Sequence, residues 1–271
     1  MKNILLIGCG HMGGSLLSSW IGKNNYSITV IDPIENISFT KNNKYKKIKF
    51  YKSVDNLKHL ITFDFIIFAI KPIDLNNLFN KLNKLAFKKT AVAISVIAGK
   101  KINLFEKKLT NIKQVVRVMP NMPALIGEGV NCLVANKHIS NYKMNQIKQL
   151  FRYSGITIIF KEEKYIDMAT AVSGSGPGFI FNLIDAMEKA AIKLGFKKNI
   201  AKILVLETFK GSINLIFSNK KNAEDLVKTV ATKGGTTEAG LKIMKKNKIH
   251  STFIKLLESS HKRAKEQGNN E

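Results

Sequence analysis

The feature that most constrains this chain is Gly8-Cys9-Gly10-His11-Met12-Gly13, which follows the apolar run Ile4–Ile7 and leads directly into a helical pattern. Gly-x-Gly-x-x-Gly between a strand and a helix has a physical logic. The first glycine permits a tight turn, the second lets backbone N–H groups approach a pyrophosphate, and the third lets helix and strand pack closely. The anion then lies at the helix N-terminus, where unpaired N–H groups and the helix dipole favour it. Asn3 to Asp32 is therefore expected to form a dinucleotide-binding β-α-β unit, with the pyrophosphate on Gly8, Cys9, Gly10, His11, Met12 and Gly13. Asp32 ends the next strand, 24 positions after Gly8. An acid there accepts hydrogen bonds from the adenosine ribose hydroxyls. Its charge would repel a 2′-phosphate, which tilts the expectation toward NADH over NADPH.

Up to about residue 160 the sequence alternates short β-rich runs with helical patterns. Runs that are apolar throughout, such as Phe65–Ala69, suit a parallel sheet covered on both faces. The other expected strands are Ser27–Ile31, Ala91–Ser95, Val115–Met119, Val130–Ala135 and Thr157–Ile159. Strand–helix alternation implies βαβ crossovers and a doubly wound Rossmann sheet. From Glu162 to Glu266 the pattern is helical only, interrupted at Ser173–Gly178 and Gly234–Gly235. The expected fold class is thus α/β, an N-terminal Rossmann sheet followed by an all-α C-terminal domain, with domains at 1–160 and 161–271. Only Gln267–Glu271 are expected to be disordered.

Composition narrows the setting. Forty-four Lys and Arg against 19 Asp and Glu give a formal net charge of +25. Such a surface attracts anions of every kind. The excess, however, is mostly Lys scattered singly or in pairs among Asn and Ile, without the interleaved aromatics of a nucleic-acid platform. No nucleic-acid partner is expected. Two cysteines, Cys9 and Cys132, cannot build a disulfide framework or a metal cluster, which points to the reducing cytosol and to no metal. No apolar run approaches the roughly 20 residues of a membrane span.

Four further stretches combine Gly, Pro and hydroxyl residues at element ends. Ala69-Ile70-Lys71-Pro72 and Val118–Pro123 lie at the carboxyl ends of strands, where open α/β sheets bind ligands. Asn121, held between two prolines, suits an amide such as that of nicotinamide. Ser173-Gly174-Ser175-Gly176-Pro177-Gly178 and Thr232-Lys233-Gly234-Gly235-Thr236-Thr237 precede helices in the second domain. The latter reads as a nest of backbone N–H groups with hydroxyls beside it, able to bind a carboxylate or phosphate.

These pieces, in this order, resemble the pyrroline-5-carboxylate reductases of proline biosynthesis. The matching residues are Gly8–Gly13, Lys71-Pro72, Met119–Pro123, Asp167 with Ser173–Pro177, and Gly234-Gly235-Thr236-Thr237-Glu238-Ala239. The resemblance implies an NADPH- or NADH-dependent reduction of pyrroline-5-carboxylate to L-proline, in a helical domain that interlocks two subunits into a homodimer, with larger rings of dimers in some relatives. It implies that Thr232, Gly234, Gly235, Thr236 and Thr237, with Ser173 and Gly174, bind substrate. Thr237, bonding the ring nitrogen, and Glu163 are implied as the catalytic pair. Ala69, Ile70, Lys71, Pro72, Ser95, Ile97 and Ala98 are implied to line the cofactor, beside Asn121 as read above. The chain departs from the family's Ser-Pro at Thr232-Lys233. The alternative is a related two-domain imine or β-hydroxyacid reductase, which relies on a Lys or Asp in the first interdomain helix, where this chain has Ser-Gly-Ser-Gly-Pro. A non-catalytic nucleotide sensor is the other alternative.

Overall fold

The computed structural model describes residues 1–34, 48–57, 60–219 and 221–269. Two compact units emerge, Met1–Ser175 together with the chain from Ser260 onward, and Gly176–Ser259. The division expected at 160/161 falls instead at 175/176. The reason is packing: the first helix after the sheet lies against two of its strands, so it belongs with them.

The first unit begins with β1 (Lys2–Ile7), α1 (His11–Trp20) and β2 (Tyr26–Ile31). It continues through β3 (Lys49–Tyr51), β4 (Leu60–Ile61), β5 (Phe65–Phe68), α2 (Leu75–Leu82), β6 (Ala86–Phe87) and β7 (Val92–Ser95). Then come α3 (Ile102–Lys108), β8 (Gln114–Met119), β9 (Gly129–Ala135), α4 (Asn141–Arg152), β10 (Gly155–Ile159) and α5 (Lys164–Ala169). The main sheet has the order β10-β9-β8-β7-β5-β1-β2-β3. Its pairings are parallel except β8 with β9. β4 and β6 pair separately. The expected strands all form. β3, β4 and β6 are too short to show a period in the sequence.

The fold follows from where apolar residues fall. Ile4, Leu5 and Leu6 of β1 and all of β5 are fully buried, each large side chain contributing about 1.5–3 kcal/mol. α2 buries Leu75, Leu78, Phe79 and Leu82, a single helical stripe. On one sheet face Phe68, Phe79 and Phe105 meet with centroids 5.1–6.1 Å apart. On the other, Trp20 of α1 packs edge-on to Phe151 at 6.1 Å, and its Nε1 donates to the Leu150 carbonyl at 3.0 Å. Strand order reverses between β1 and β5, and the crevice at a sheet's switch point is where such folds bind ligands.

The second unit contains α6 (Gly176–Lys193), α7 (Lys198–Ser218), α8 (Ala223–Val230), α9 (Thr236–Lys246) and the first half of α10 (Ile249–Asn269). α6 packs on α7. Among the described residues of this unit only Ala201 and Val205 are buried, while Leu194 and Phe217 are more than four-fifths exposed. A helical unit this poor in core cannot offset its conformational entropy alone.

The expected interruption at Ser173–Gly178 overlaps a π-helical turn over Thr170–Gly174, closed by Ser175 N–H to the Thr170 carbonyl at 2.8 Å. Hydroxyls satisfy the carbonyls such a turn leaves loose, Thr170 bonding Ile166 O and Ser173 bonding Ala169 O. One expectation needs correction: order does not end at Gln267, since α10 continues to Asn269. The last two residues of that expected tail lie outside the described residues.

Candidate active site

The nucleotide loop connects β1 to α1, and each glycine has its own reason. Gly8 has φ +92°, and a Cβ there would lie 2.4 Å from the Ala69 carbonyl oxygen at the end of β5. A Cβ on Gly13 would lie 2.1 Å from the Gly8 oxygen. Gly10 has open space around it, with nothing within 4 Å of an added Cβ. As N-cap of α1 it has no side-chain hydrogen bond, so the first N–H groups of the helix are left for an anion. Gly10 and His11 are exposed, and Met12 is half-buried. The residues present fit the pyrophosphate of a dinucleotide.

Asp32 has two structural partners. Its Oδ2 accepts from Cys9 N–H at 2.5 Å and its Oδ1 from Ile34 N–H at 2.8 Å. The carboxylate thus ties the nucleotide loop to the end of β2, with lone pairs left over for hydroxyl donors. Burial, and secondarily the Asp32 charge, push the Cys9 thiol up to about 12, so it stays a thiol at neutral pH and is no nucleophile.

The next three strands end in adjacent segments. After β5, Ala69 and Ile70 are half-buried while Lys71 and Pro72 are exposed, with Lys71 extended before its proline. After β7, Ser95 is fully buried and its Oγ accepts from Ile97 N–H at 3.3 Å. Ala98 is exposed, and Gly99 has φ +76°. An added Cβ on Gly99 would lie 2.8 Å from Gln267 Cβ, so the last turns of α10 seat on this segment. After β8, the 3-10 turn Met122–Ile126 packs against α1.

Asn121, expected beside the nicotinamide, is held within the first unit. It is buried, its Oδ1 accepts from Val130 N–H at 2.8 Å, and its Nδ2 donates to the Ser173 carbonyl at 3.1 Å. Both ends of the carboxamide are used inside the unit, where it brackets the loop between β9 and the π-turn. Gly174 of that turn rests on β8, since an added Cβ would lie 2.7 Å from Met119 Cε.

Glu163 is likewise engaged. Its Oε1 accepts from Arg117 Nη1 at 3.1 Å and from Ile102 N–H at 2.9 Å. Arg117 Nη2 donates to Asp167 Oδ1 at 2.7 Å. Arg117, 2% exposed in the middle of β8, went unnoticed in the sequence. The available signal was a lone Arg inside the apolar strand Gln114–Met119, which a parallel sheet buries only against a carboxylate.

In the second unit, Thr232 to Gly235 form a β-turn, with Gly235 N–H on the Thr232 carbonyl at 3.0 Å and Gly234 at φ +75°. Lys233 therefore stands at the position that such a turn readily gives to proline. A Cβ on Gly235 would lie 2.7 Å from Thr232 Oγ1. Gly234 N–H is taken by Glu238 Oε2 at 2.9 Å, and Glu238 pairs with Lys242 at 3.3 Å. Gly235 is the N-cap of α9 without a side-chain bond. Of this loop, that leaves the N–H groups of Lys233, Thr236 and Thr237 and the threonine hydroxyls, not Gly234, to receive an anion.

Comparison with known proteins finds relatives that span the chain. A family model described as pyrroline-5-carboxylate reductase dimerisation matches residues 163–267. One described as NADP oxidoreductase, coenzyme F420-dependent, matches residues 3–99. Pyrroline-5-carboxylate reductase 2 of Bacillus subtilis is 30% identical over 270 residues, covering 98% of this chain and 95% of that protein. The pyrroline-5-carboxylate reductase of Aquifex aeolicus is 30% identical over 263 residues, covering 96% and 95%. Among solved structures, the Coxiella burnetii pyrroline-5-carboxylate reductase superposes with a TM-score of 0.88 at 27% identity, covering 99% of each chain. The Plasmodium falciparum pyrroline carboxylate reductase, crystallised with NADP bound, gives 0.86 at 27% identity over 99% of this chain and 98% of that one.

Proposed function

This chain belongs to the pyrroline-5-carboxylate reductase family, and we propose on that footing how its own residues serve the reaction. The enzyme reduces 1-pyrroline-5-carboxylate to L-proline with NAD(P)H, the last step of proline biosynthesis. When bound, the nicotinamide supplies the hydride; the protein supplies position and electrostatics. The observation that carries the reading is the open Gly10 backbone at an uncapped helix N-terminus, flanked by two glycines that admit no side chain. The test is a spectrophotometric assay with synthetic pyrroline-5-carboxylate, comparing NADH and NADPH. No oxidation of either cofactor would overturn the assignment.

The residues divide the work. Gly8–Gly13 hold the pyrophosphate, with Ala69–Pro72 and Ser95–Ala98 lining the nucleotide. Thr236 and Thr237 receive the substrate carboxylate on their N–H groups, with Thr232 and Gly235 shaping that turn. The Thr237 hydroxyl bonds the ring nitrogen, holding a protonated imine whose carbon is electrophilic. The family resemblance also assigns Ser173 and Gly174 to the substrate. Thr237→Ala removes one hydrogen bond to a charged group, worth about 1.5–3 kcal/mol. Its kcat/KM is expected to fall about 10- to 100-fold while nucleotide affinity, read by fluorescence titration, stays at the wild-type value. An unchanged kcat/KM would remove Thr237 from the site.

Asp32 favours NADH in this reading, through a bond to the adenosine ribose. Asp32→Ser is expected to cut kcat/KM with NADH about tenfold more than with NADPH, the equivalent of one hydrogen bond. Equal losses would mean that Asp32 serves only to tie Cys9 and Ile34.

The helical unit, matched by the dimerisation model and nearly without a core of its own, makes the protein a homodimer, and a ring of dimers is a further assembly open to it. No helix of the described residues is long and apolar enough to cross a membrane. We place the enzyme in the cytoplasm, where its thiols Cys9 and Cys132 stay reduced.

A further inference from the structure

We infer that Arg117 is a positioning residue for hydride transfer, its guanidinium holding the turn Ser95–Gly99 and the π-turn with Ser173 and Gly174 in one register, with Glu163 acting through it. The inference rests on the reading that those two segments face nucleotide and substrate.

The geometry is a fork with two prongs. Nη1 reaches Glu163 Oε1, and that same oxygen accepts the first N–H of α3, from Ile102. α3 starts where the turn after β7 ends, so Glu163 caps the helix on which that turn closes. Nη2 reaches Asp167 in α5, one turn before Thr170 opens the π-turn. The π-turn in turn rests, through Gly174, on Met119 at the end of β8, the strand that carries Arg117. One buried side chain thus sets both segments against a single strand. A planar guanidinium can address two carboxylates at fixed angles; a lysine ammonium on a flexible stem cannot.

Glu163 also uses one oxygen for both of its bonds. Glutamine retains that acceptor and alanine does not. A carboxylate that moved a proton would instead need its charge. The two roles therefore predict opposite behaviour for Glu163→Gln.

The experiment compares wild type, Glu163→Gln, Glu163→Ala and Arg117→Lys by steady-state kinetics, well below each melting temperature. Both NAD(P)H and pyrroline-5-carboxylate are varied, with kcat/KM followed across pH. Displacing the turn is expected to raise KM for NAD(P)H and lower kcat by about tenfold or more in Glu163→Ala and Arg117→Lys. Glu163→Gln is expected to recover to within about threefold of wild type and to retain both limbs of the pH profile. Loss of a pH limb in Glu163→Gln, with damage equal to that of Glu163→Ala, would make Glu163 an acid–base group and overturn the inference. Wild-type KM and kcat in Arg117→Lys, with only a lower melting temperature, would overturn it as well, by reducing the cluster to a fold element. A wild-type enzyme inert toward pyrroline-5-carboxylate would fail for a different reason, by removing the functional reading beneath it.

Discussion

Gly13→Ala is expected to lose NAD(P)H binding and to melt well below the wild-type protein. The added methyl would stand 2.1 Å from the Gly8 carbonyl oxygen and 3.0 Å from the Gly8 carbonyl carbon. Neither is the end of a flexible side chain. Gly8 cannot retreat, because its own Cα already faces the Ala69 carbonyl at a distance that admits no Cβ. Relief must come from moving α1 off β1, which drags Leu16, Leu17 and Trp20 out of full burial. Overpacking of this kind costs about 1–3 kcal/mol or more. For a chain of this size that lowers Tm by roughly 2–4 °C per kcal/mol. Gly10→Ala is the control, since the same methyl meets nothing within 4 Å and φ is −71°. It should keep the fold and lose affinity through the filled cradle. Circular dichroism melting and nucleotide fluorescence titration read the two effects separately. Wild-type affinity in Gly13→Ala would refute the close-packing account of this loop.

The second large effect is expected from Arg117→Met. Removing the guanidinium leaves Asp167, 6% exposed, without its cationic partner and Glu163 with only Ile102 N–H. Breaking a buried ion pair from one side costs about 3–5 kcal/mol, more than the intact pair contributes, because a desolvated charge remains. Pairing it with Asp167→Leu removes that orphaned charge. The double variant is therefore expected to be more stable than the single one, by chemical denaturation, and the coupling is read from the double-mutant cycle. Additive losses would mean that the two side chains act independently.

Much of the protein is legible in the chain because the physics involved is local. A parallel strand buried on both faces is apolar throughout, as Phe65–Phe68 and Val92–Ser95 are. The nucleotide loop is legible because Gly8 takes a positive φ and Gly13 closes on the Gly8 carbonyl five residues before it, although Gly8 is also pressed by Ala69 from the end of another strand. Even the loop Thr232–Gly235 is local, a turn at Gly234 leading into a helix N-terminus at Thr236.

What the sequence by itself determined is therefore the Rossmann unit, the helical unit, the cofactor loop and the family. What only the tertiary structure decided is which polar groups meet. Asn121 meets Val130 N–H and the Ser173 carbonyl, partners 9 and 52 residues away that no local pattern names. Glu163 meets Arg117, 46 residues away in the chain, only because β8 and the end of the sheet bring them together. Gln267 belonged to an expected loose tail until it was found against Gly99. Periodicity says that a buried charge must have a partner, but the partner is chosen by topology. Strand order and helix placement bring distant residues together, and no local pattern in the chain encodes that choice.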